Sequence, residues 1–271
     1  MRQLPRGFLI AIEGIDGAGK TTQTAAVREK LTALGFTVIA SKEPTTGPWG
    51  QKIRDSATTQ RMPLEDELAA FLEDRKQHVA ELISPALANG TIVIVDRYYF
   101  SNAAYQGAAG VDPEKIIRDN EAFAPRPDLL IMLDVPVDVG LERIRTRGDN
   151  PNLFERRDAL ERCKAIFETF EGPWTLRLDG MEAVDVVTAR ILRAIHDGPL
   201  FKAMCLKVHY KPECEPEHCS LRSACGYLET GSLSPTVAPP WLSVLDDESK
   251  TDEEKIDALV TTARAERNGT G

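Results

Sequence analysis

The run Gly14-Ile15-Asp16-Gly17-Ala18-Gly19-Lys20-Thr21 fits the spacing G-x-x-x-x-G-K-[ST]. Glycines at these positions let backbone N–H groups close around phosphate oxygens, and a helix opening directly afterwards adds its partial positive end. In such a loop Lys20 reaches the β- and γ-phosphates, the Thr21 hydroxyl binds Mg²⁺, and Thr22 continues the cradle. A second group, Asp96-Arg97-Tyr98-Tyr99-Phe100-Ser101-Asn102-Ala103-Ala104-Tyr105-Gln106, begins with a carboxylate that can order a magnesium shell and an arginine that can clamp a phosphate. A third is basic: Arg143, Arg145 and Arg147, then Glu155, Arg156 and Arg157. Helical spacing puts Arg143 and Arg147 on one face and Arg145 elsewhere. A phosphoryl group in flight spreads negative charge over its equatorial oxygens, and positioned arginines stabilise that charge.

These groups need a scaffold, and the apolar pattern supplies one. Residues 8–12, 37–40, 91–95, 129–133 and 175–178 read as short strands. Residues 21–34, 64–88, 137–147, 158–170 and 183–196 read as helices, the second with a kink or break at Pro85. Strands alternating with helices predict an α/β fold of the P-loop NTPase type, a five-stranded parallel sheet covered on both faces. Ligands of such sheets sit beyond the C-terminal strand ends, where Asp16, Glu43 and Asp96 fall. The pattern breaks near Gly198-Pro199, so we expect one domain over residues 1–197 and an appendage over 198–271.

The chain has 271 residues and a net charge of -9, which disfavours extended nucleic-acid binding. Residues 246–257 hold seven acids and two lysines, and read as a solvated acidic segment. No apolar run approaches the ~18–20 residues of a membrane helix. The apolar stretch near residue 8 runs into the glycine-rich turn without a small-residue cleavage site, so no secretory signal is expected and a cytoplasmic protein is.

Taken together, Glu13 to Gln23, Glu43-Pro44, the 71–75 segment, the 96–106 segment and Leu178-Asp179-Gly180 resemble the thymidylate kinase family. The resemblance covers residues 8–196 and implies ATP-dependent phosphorylation of dTMP to dTDP, with Mg²⁺, by a homodimer. Asp16 is similar to the family's loop carboxylate near the acceptor sugar and magnesium. Phe71 is similar to the aromatic residue that stacks on thymine, and Arg75 to the arginine that hydrogen-bonds the base. Arg97 matches the holder of the acceptor phosphate, and Asn102 a thymine contact. Tyr105 matches the tyrosine that crowds the sugar 2′ position. Glu43 and Gln106 complete the acceptor site. Gly17 follows Asp16 where some members carry a catalytic arginine, so the chain resembles the lid-arginine type, with Arg143 and Arg147 first and Arg156 after them. Phe154-Glu155-Arg156 resembles the lid segment whose glutamate approaches magnesium or the sugar.

The chain departs from the common family pattern at Thr45-Thr46-Gly47-Pro48, at Leu72-Glu73, and at Asn152, where some members are acidic. Another or modified deoxypyrimidine monophosphate is therefore an open alternative acceptor. A nucleotide-binding regulator without turnover is a further one. The appendage is not covered by the resemblance. Four of the five cysteines, Cys205, Cys214, Cys219 and Cys225, fall there with His209 and His218 between them. Four thiolates suit a structural Zn²⁺ or an iron–sulfur cluster, and the spacing lacks the paired CxxC of a common zinc ribbon, which leaves no metal as the third option.

Overall fold

A computed structural model of the protein describes residues 4–59, 61–146 and 157–200. The strands are Phe8–Glu13 (β1), Val38–Lys42 (β2), Ile92–Asp96 (β3), Leu129–Asp134 (β4) and Thr175–Asp179 (β5). They form one parallel sheet in the order β2-β3-β1-β4-β5. The three central strands are apolar almost throughout and buried, as strands covered on both faces must be. The polar residues collect where the strands end. Ile12 and Lys42 both sit in register with Asp96, Glu13 with Met132, and Asp134 with Asp179. This row faces the ligand side.

Helix Lys20–Ala33 (α1) leaves the glycine-rich turn and stops at Gly35, whose φ of 94° ends it without steric cost. Pro48–Thr58 (α2) starts with proline, which suits a first helical turn because its missing N–H would be unpaired there anyway. Leu64–His78 (α3) passes through a π-helical turn, Val79–Ile83, into Ser84–Ala88 (α4). The sequence places the break at Pro85; the structure places it one turn earlier. Pro85 has no N–H for the carbonyl of Glu81 and its ring crowds that carbonyl, so the wider turn directly upstream absorbs the conflict.

Tyr99–Ala108 (α5) and Pro113–Glu121 (α6) follow β3, and Asp112 caps α6 by accepting from the Glu114 N–H at 3.0 Å. Val137–Thr146 (α7) and Arg157–Glu168 (α8) flank residues 147–156, and Val184–Ile195 (α9) closes the sheet before a π-helical turn at His196–Leu200. Helix α8 packs on α5 through Leu160, Cys163 and Phe167, all buried, with Phe167 edge-on to Tyr105. Truncating Leu160 to alanine at such a site costs about 2–5 kcal/mol. Helix α9 is tied to α1 by Gln23, whose amide donates to the Val184 carbonyl at 3.0 Å and accepts from the Thr188 hydroxyl at 2.8 Å.

The sequence pattern anticipates all five strands and most helices. It misses α2, α5 and α6, although Asp112-Pro113 carries a start signal for the last. No described helix is long and apolar enough to cross a membrane. Residue 197, the expected domain boundary, falls in the last π-helical turn. The appendage with its cysteines lies outside the described residues.

Candidate active site

The loop between β1 and α1 turns back on itself at Gly14, Gly17 and Gly19, with φ of 141°, 81° and 97°. Only glycine adopts such angles cheaply. Gly17 has a second reason: a Cβ there would meet the Gly140 carbonyl oxygen at 2.3 Å. Gly140 of α7 is matched to it, because a Cβ on that side would meet the Asp16 carbonyl oxygen at 2.6 Å. The loop therefore rests backbone to backbone on α7. Lys20 is buried and donates to the carbonyls of Gly14 and Ile15 at 2.9 and 2.7 Å. Burial and then the neighbouring Arg97 guanidinium push its pKa down to about 7.

Thr21 donates to Asp96 Oδ2 at 2.5 Å, and Lys42 lies 3.6 Å from the same oxygen. Asp96 Oδ1 is buried without a hydrogen-bond partner among the described residues. A hydroxyl beside a carboxylate with one orphaned oxygen is a donor set suited to a hard, oxygen-seeking cation, so these two residues fit Mg²⁺.

Beside the loop, Arg97 sits in the left-handed region with φ 70°. Its guanidinium pairs with Asp16 Oδ1, donates to Ser101 Oγ at 3.1 Å, and lies 5.3 Å from the centre of the Tyr105 ring. Tyr105 donates to Asp16 Oδ2 at 2.8 Å. Burial acts to raise Asp16, but Arg97, Lys20 and the Tyr105 hydroxyl outweigh it and hold the carboxyl below its usual range. Tyr105 is pushed well up, first by burial and then by Asp16. Asp16, Arg97 and Tyr105 thus form one charged corner.

That corner opens into a cavity of about 200 Å³ lined by Pro44, Ile53, Arg54, Ala57, Phe71, Arg75, Asn102 and Gln106, among others. Arg75 is buried and donates to Glu43 Oε2 from Nε at 2.8 Å, with Nη2 ion-paired to the same oxygen at 2.6 Å. Its Nη1 donates to Asn120 at 2.5 Å and to Asn102 at 3.5 Å. Three of its five N–H groups are thereby hydrogen-bonded to protein, and Nη2 is held beside Glu43. Glu43 is also bonded to His78 Nδ1 at 2.9 Å, and His78 Nε2 lies 2.8 Å from Ser41 Oγ.

A second cavity, of about 480 Å³, lies on the other side of the loop against Gly17, Ala18, Gly19, Thr22, Arg143, Gly180 and Val184. Arg143 donates to the carbonyls of Gly17 and Gly180 at 3.2 and 3.1 Å. It lines this second cavity and not the charged corner. Arg145 pairs with Glu142 at 2.9 Å on the surface. Arg147, Glu155 and Arg156 lie outside the described residues.

Several residues at the site were not singled out as functional from sequence. Glu13 is fully buried and accepts from the N–H groups of Tyr98 and Ser101 at 2.7 and 3.0 Å and from the Ser101 hydroxyl at 2.5 Å. Burial raises it to about 7 against those hydrogen bonds. It anchors the turn that carries Arg97. Glu67 and His78 share a face of α3 with Phe71 and Arg75, and that i, i+4, i+8, i+11 spacing was the signal available.

A phosphate cradle at a strand end, a charged corner next to it and a separate apolar pocket beyond define a P-loop phosphotransferase that joins two ligands, one on each side of the loop. The family model described as Thymidylate kinase matches residues 12–191. Thymidylate kinases of Xanthomonas campestris pv. campestris and Akkermansia muciniphila are 53% and 48% identical over 183 and 190 residues, covering 68% and 70% of this chain and 80% and 92% of their own lengths. The chain belongs to the thymidylate kinase family.

Proposed function

We infer that the chain transfers the γ-phosphoryl group of ATP to dTMP, giving ADP and dTDP. The observation that carries this reading, beside the family membership, is that two cavities meet one phosphate loop, one at Asp16 with the Asp16–Arg97 pair in its wall and the other at Gly17 to Gly19. ATP occupies the Gly14 to Thr22 cradle, its base on the side of Thr22 and Arg143. dTMP occupies the other cavity, its base between Phe71 and the amides of Asn102 and Gln106, its sugar against Asp16 and Tyr105, and its phosphate at Arg97. Arg75 supports the base site through Asn102, and Glu43 holds Arg75.

The acceptor phosphate has a second pKa of about 6 and is already dianionic at neutral pH, so its oxygen attacks without a general base. What the site supplies is alignment and positive charge. Lys20 binds the phosphates it faces and recovers its proton as they arrive. Arg97 gives up part of its bond to Asp16 to grip the acceptor phosphate, and Arg143, Arg147 and Arg156 belong to the lid side of the donor. Thr21 and Asp96 would hold Mg²⁺, which when bound would neutralise charge on the donor phosphates, and by the family resemblance Glu155 would approach the metal or the sugar. The family resemblance also supports a homodimer and a cytoplasmic location; sedimentation checks the first. For the appendage we keep 198–271 as a separate unit in which Cys205, Cys214, Cys219 and Cys225 hold Zn²⁺ or an iron–sulfur cluster. Metal analysis and absorption spectra of the purified chain separate the two, and an absence of both removes the proposal.

The reaction is tested by ATP-dependent turnover of dTMP, dUMP, dCMP, dGMP, AMP and UMP. A clear preference for dTMP is expected. Turnover of another acceptor in its place would overturn the base-site assignment, and ATP binding with no acceptor-dependent turnover would overturn the enzyme.

A further inference from the structure

Amide side chains read bases well only when their direction is fixed. Thymine presents a donor at N3 and an acceptor at O4; cytosine presents an acceptor at N3 and a donor at its amino group. An asparagine that turns over freely complements either edge. Asn102 and Gln106 line the acceptor cavity, and what fixes them is a chain of hydrogen bonds with only one possible sense. Gln106 Nε2 donates to Glu67 Oε1 at 2.5 Å, Asn102 Nδ2 donates to Gln106 Oε1 at 2.5 Å, and Arg75 Nη1 donates to Asn102 Oδ1. A carboxylate only accepts and a guanidinium only donates. Each amide therefore has its nitrogen toward Glu67 and its oxygen toward Arg75.

The two ends do not hold equally. The Arg75 contact is 3.5 Å long, and the same Nη1 serves Asn120 at 2.5 Å. The Glu67 end is short, and Glu67 is 1% exposed. Glu67 is itself gripped by Arg61, from Nε at 2.9 Å and Nη2 at 3.3 Å. We propose that Glu67, held by Arg61, is a positioning residue for base specificity: it locks the Gln106–Asn102 amide chain in the direction that accepts the thymine edge and rejects the cytosine edge. This rests on reading the cavity as the base site.

The test is the ratio of the dCMP inhibition constant to the dTMP KM, measured for the full chain and for Glu67→Gln, Glu67→Ala and Arg61→Ala. Losing one fixed polar contact is worth about tenfold. We expect the ratio to fall about tenfold in Glu67→Ala and by a smaller factor in Glu67→Gln, which keeps an acceptor but allows both directions. Arg61→Ala should fall between the wild-type chain and Glu67→Ala. The dUMP-to-dTMP ratio should not move, because uracil shares thymine's edge, and the ATP KM should not move either. A uniform loss with dTMP, dUMP and dCMP at an unchanged ratio would make Glu67 merely structural and overturn the proposal. If Glu67→Ala does not fold, an unchanged ratio in Glu67→Gln and Arg61→Ala overturns it equally. Asn102→Ala separates the two readings. If it leaves both the dTMP KM and the ratio unchanged, the base site itself is misassigned. If it collapses the ratio while every Glu67 and Arg61 variant keeps it, only the lock fails.

Discussion

The two cavities flanking the phosphate loop are built from different material. The cavity proposed for the donor gathers four small residues at the phosphate loop, Gly17, Ala18, Gly19 and Gly180, with the loop seated on Gly140 and with Thr22, Arg143 and Val184 around it. The acceptor side is mostly side chain, with Arg75, Glu43, Asn102, Gln106 and Glu67 all buried and bonded to one another. Backbone N–H groups suit phosphates, which look alike on every nucleotide, whereas telling one base from another needs directional side chains. The contrast predicts that damage on one side stays on that side, except at the groups between them.

Lys20→Ala strikes a shared group, and kcat should fall by about 10³; a drop below tenfold in single-turnover measurements would remove Lys20 from the phosphoryl path. Arg75→Ala should stay on the acceptor side. It leaves Glu43 buried with His78 as its remaining side-chain partner, which costs about 3–5 kcal/mol of stability. It should lower kcat/KM for dTMP about 10²-fold while the ATP KM holds. Should the ATP KM rise as much, the two sides are coupled and the contrast breaks. Gly17→Ala is the mirror experiment. The new Cβ meets a backbone carbonyl that has little room to yield, and a non-glycine residue at φ 81° costs about 1–2 kcal/mol more. ATP affinity should fall more than about tenfold with the dTMP KM unmoved.

A pH series sharpens the donor side further. Burial and Arg97 hold Lys20 at about 7, and bound phosphates favour the charged ammonium. Bound nucleotide therefore raises this pKa, and proton uptake accompanies binding. Affinity should fall several-fold from pH 7.5 to 9, up to about tenfold per unit. Calorimetry in buffers of different ionisation enthalpy reads the uptake directly, and pH-independent binding would contradict a depressed Lys20. The smallest effect belongs to Arg143→Ala. Because Arg143 lies on the Gly17 and Gly180 carbonyls, a rise of about three- to fivefold in ATP KM with little change in kcat is expected. A large loss of kcat would return it to the moving phosphoryl.

How legible each part was follows from how far apart its residues lie in the chain. Gly14 to Thr21 is one continuous run whose spacing is its geometry, and the strands declare themselves by unbroken apolar composition. Phe71 and Arg75 read out as one face because helical period is local. The contacts of Glu13 with Tyr98 and Ser101 join residues 85 and 88 positions apart, and no local pattern announces them. Helix α2 was legible in principle, since Pro48 opens it and Trp49, Ile53 and Ala57 recur at i, i+4 and i+8, but the stripe is short and lies in a segment otherwise rich in turn-forming residues. Arg143 was legible as a basic residue near a helix end but not as a neighbour of Gly180, which only the closing of β5 against β4 brings there.

Position 97 sets two selection pressures against each other. The turn after β3 has the backbone of a glycine, pinned by the Arg97 N–H on the Ile12 carbonyl at 3.1 Å, yet it carries an arginine. That choice costs about 1–2 kcal/mol relative to a residue without a Cβ. Glycine at 97 would recover that backbone cost but strand the Asp16 carboxylate without its guanidinium, which costs more where the pair is largely buried. The same ion pair that aims the side chain thus also underwrites the unfavourable backbone beneath it, and position 97 resists change from both directions.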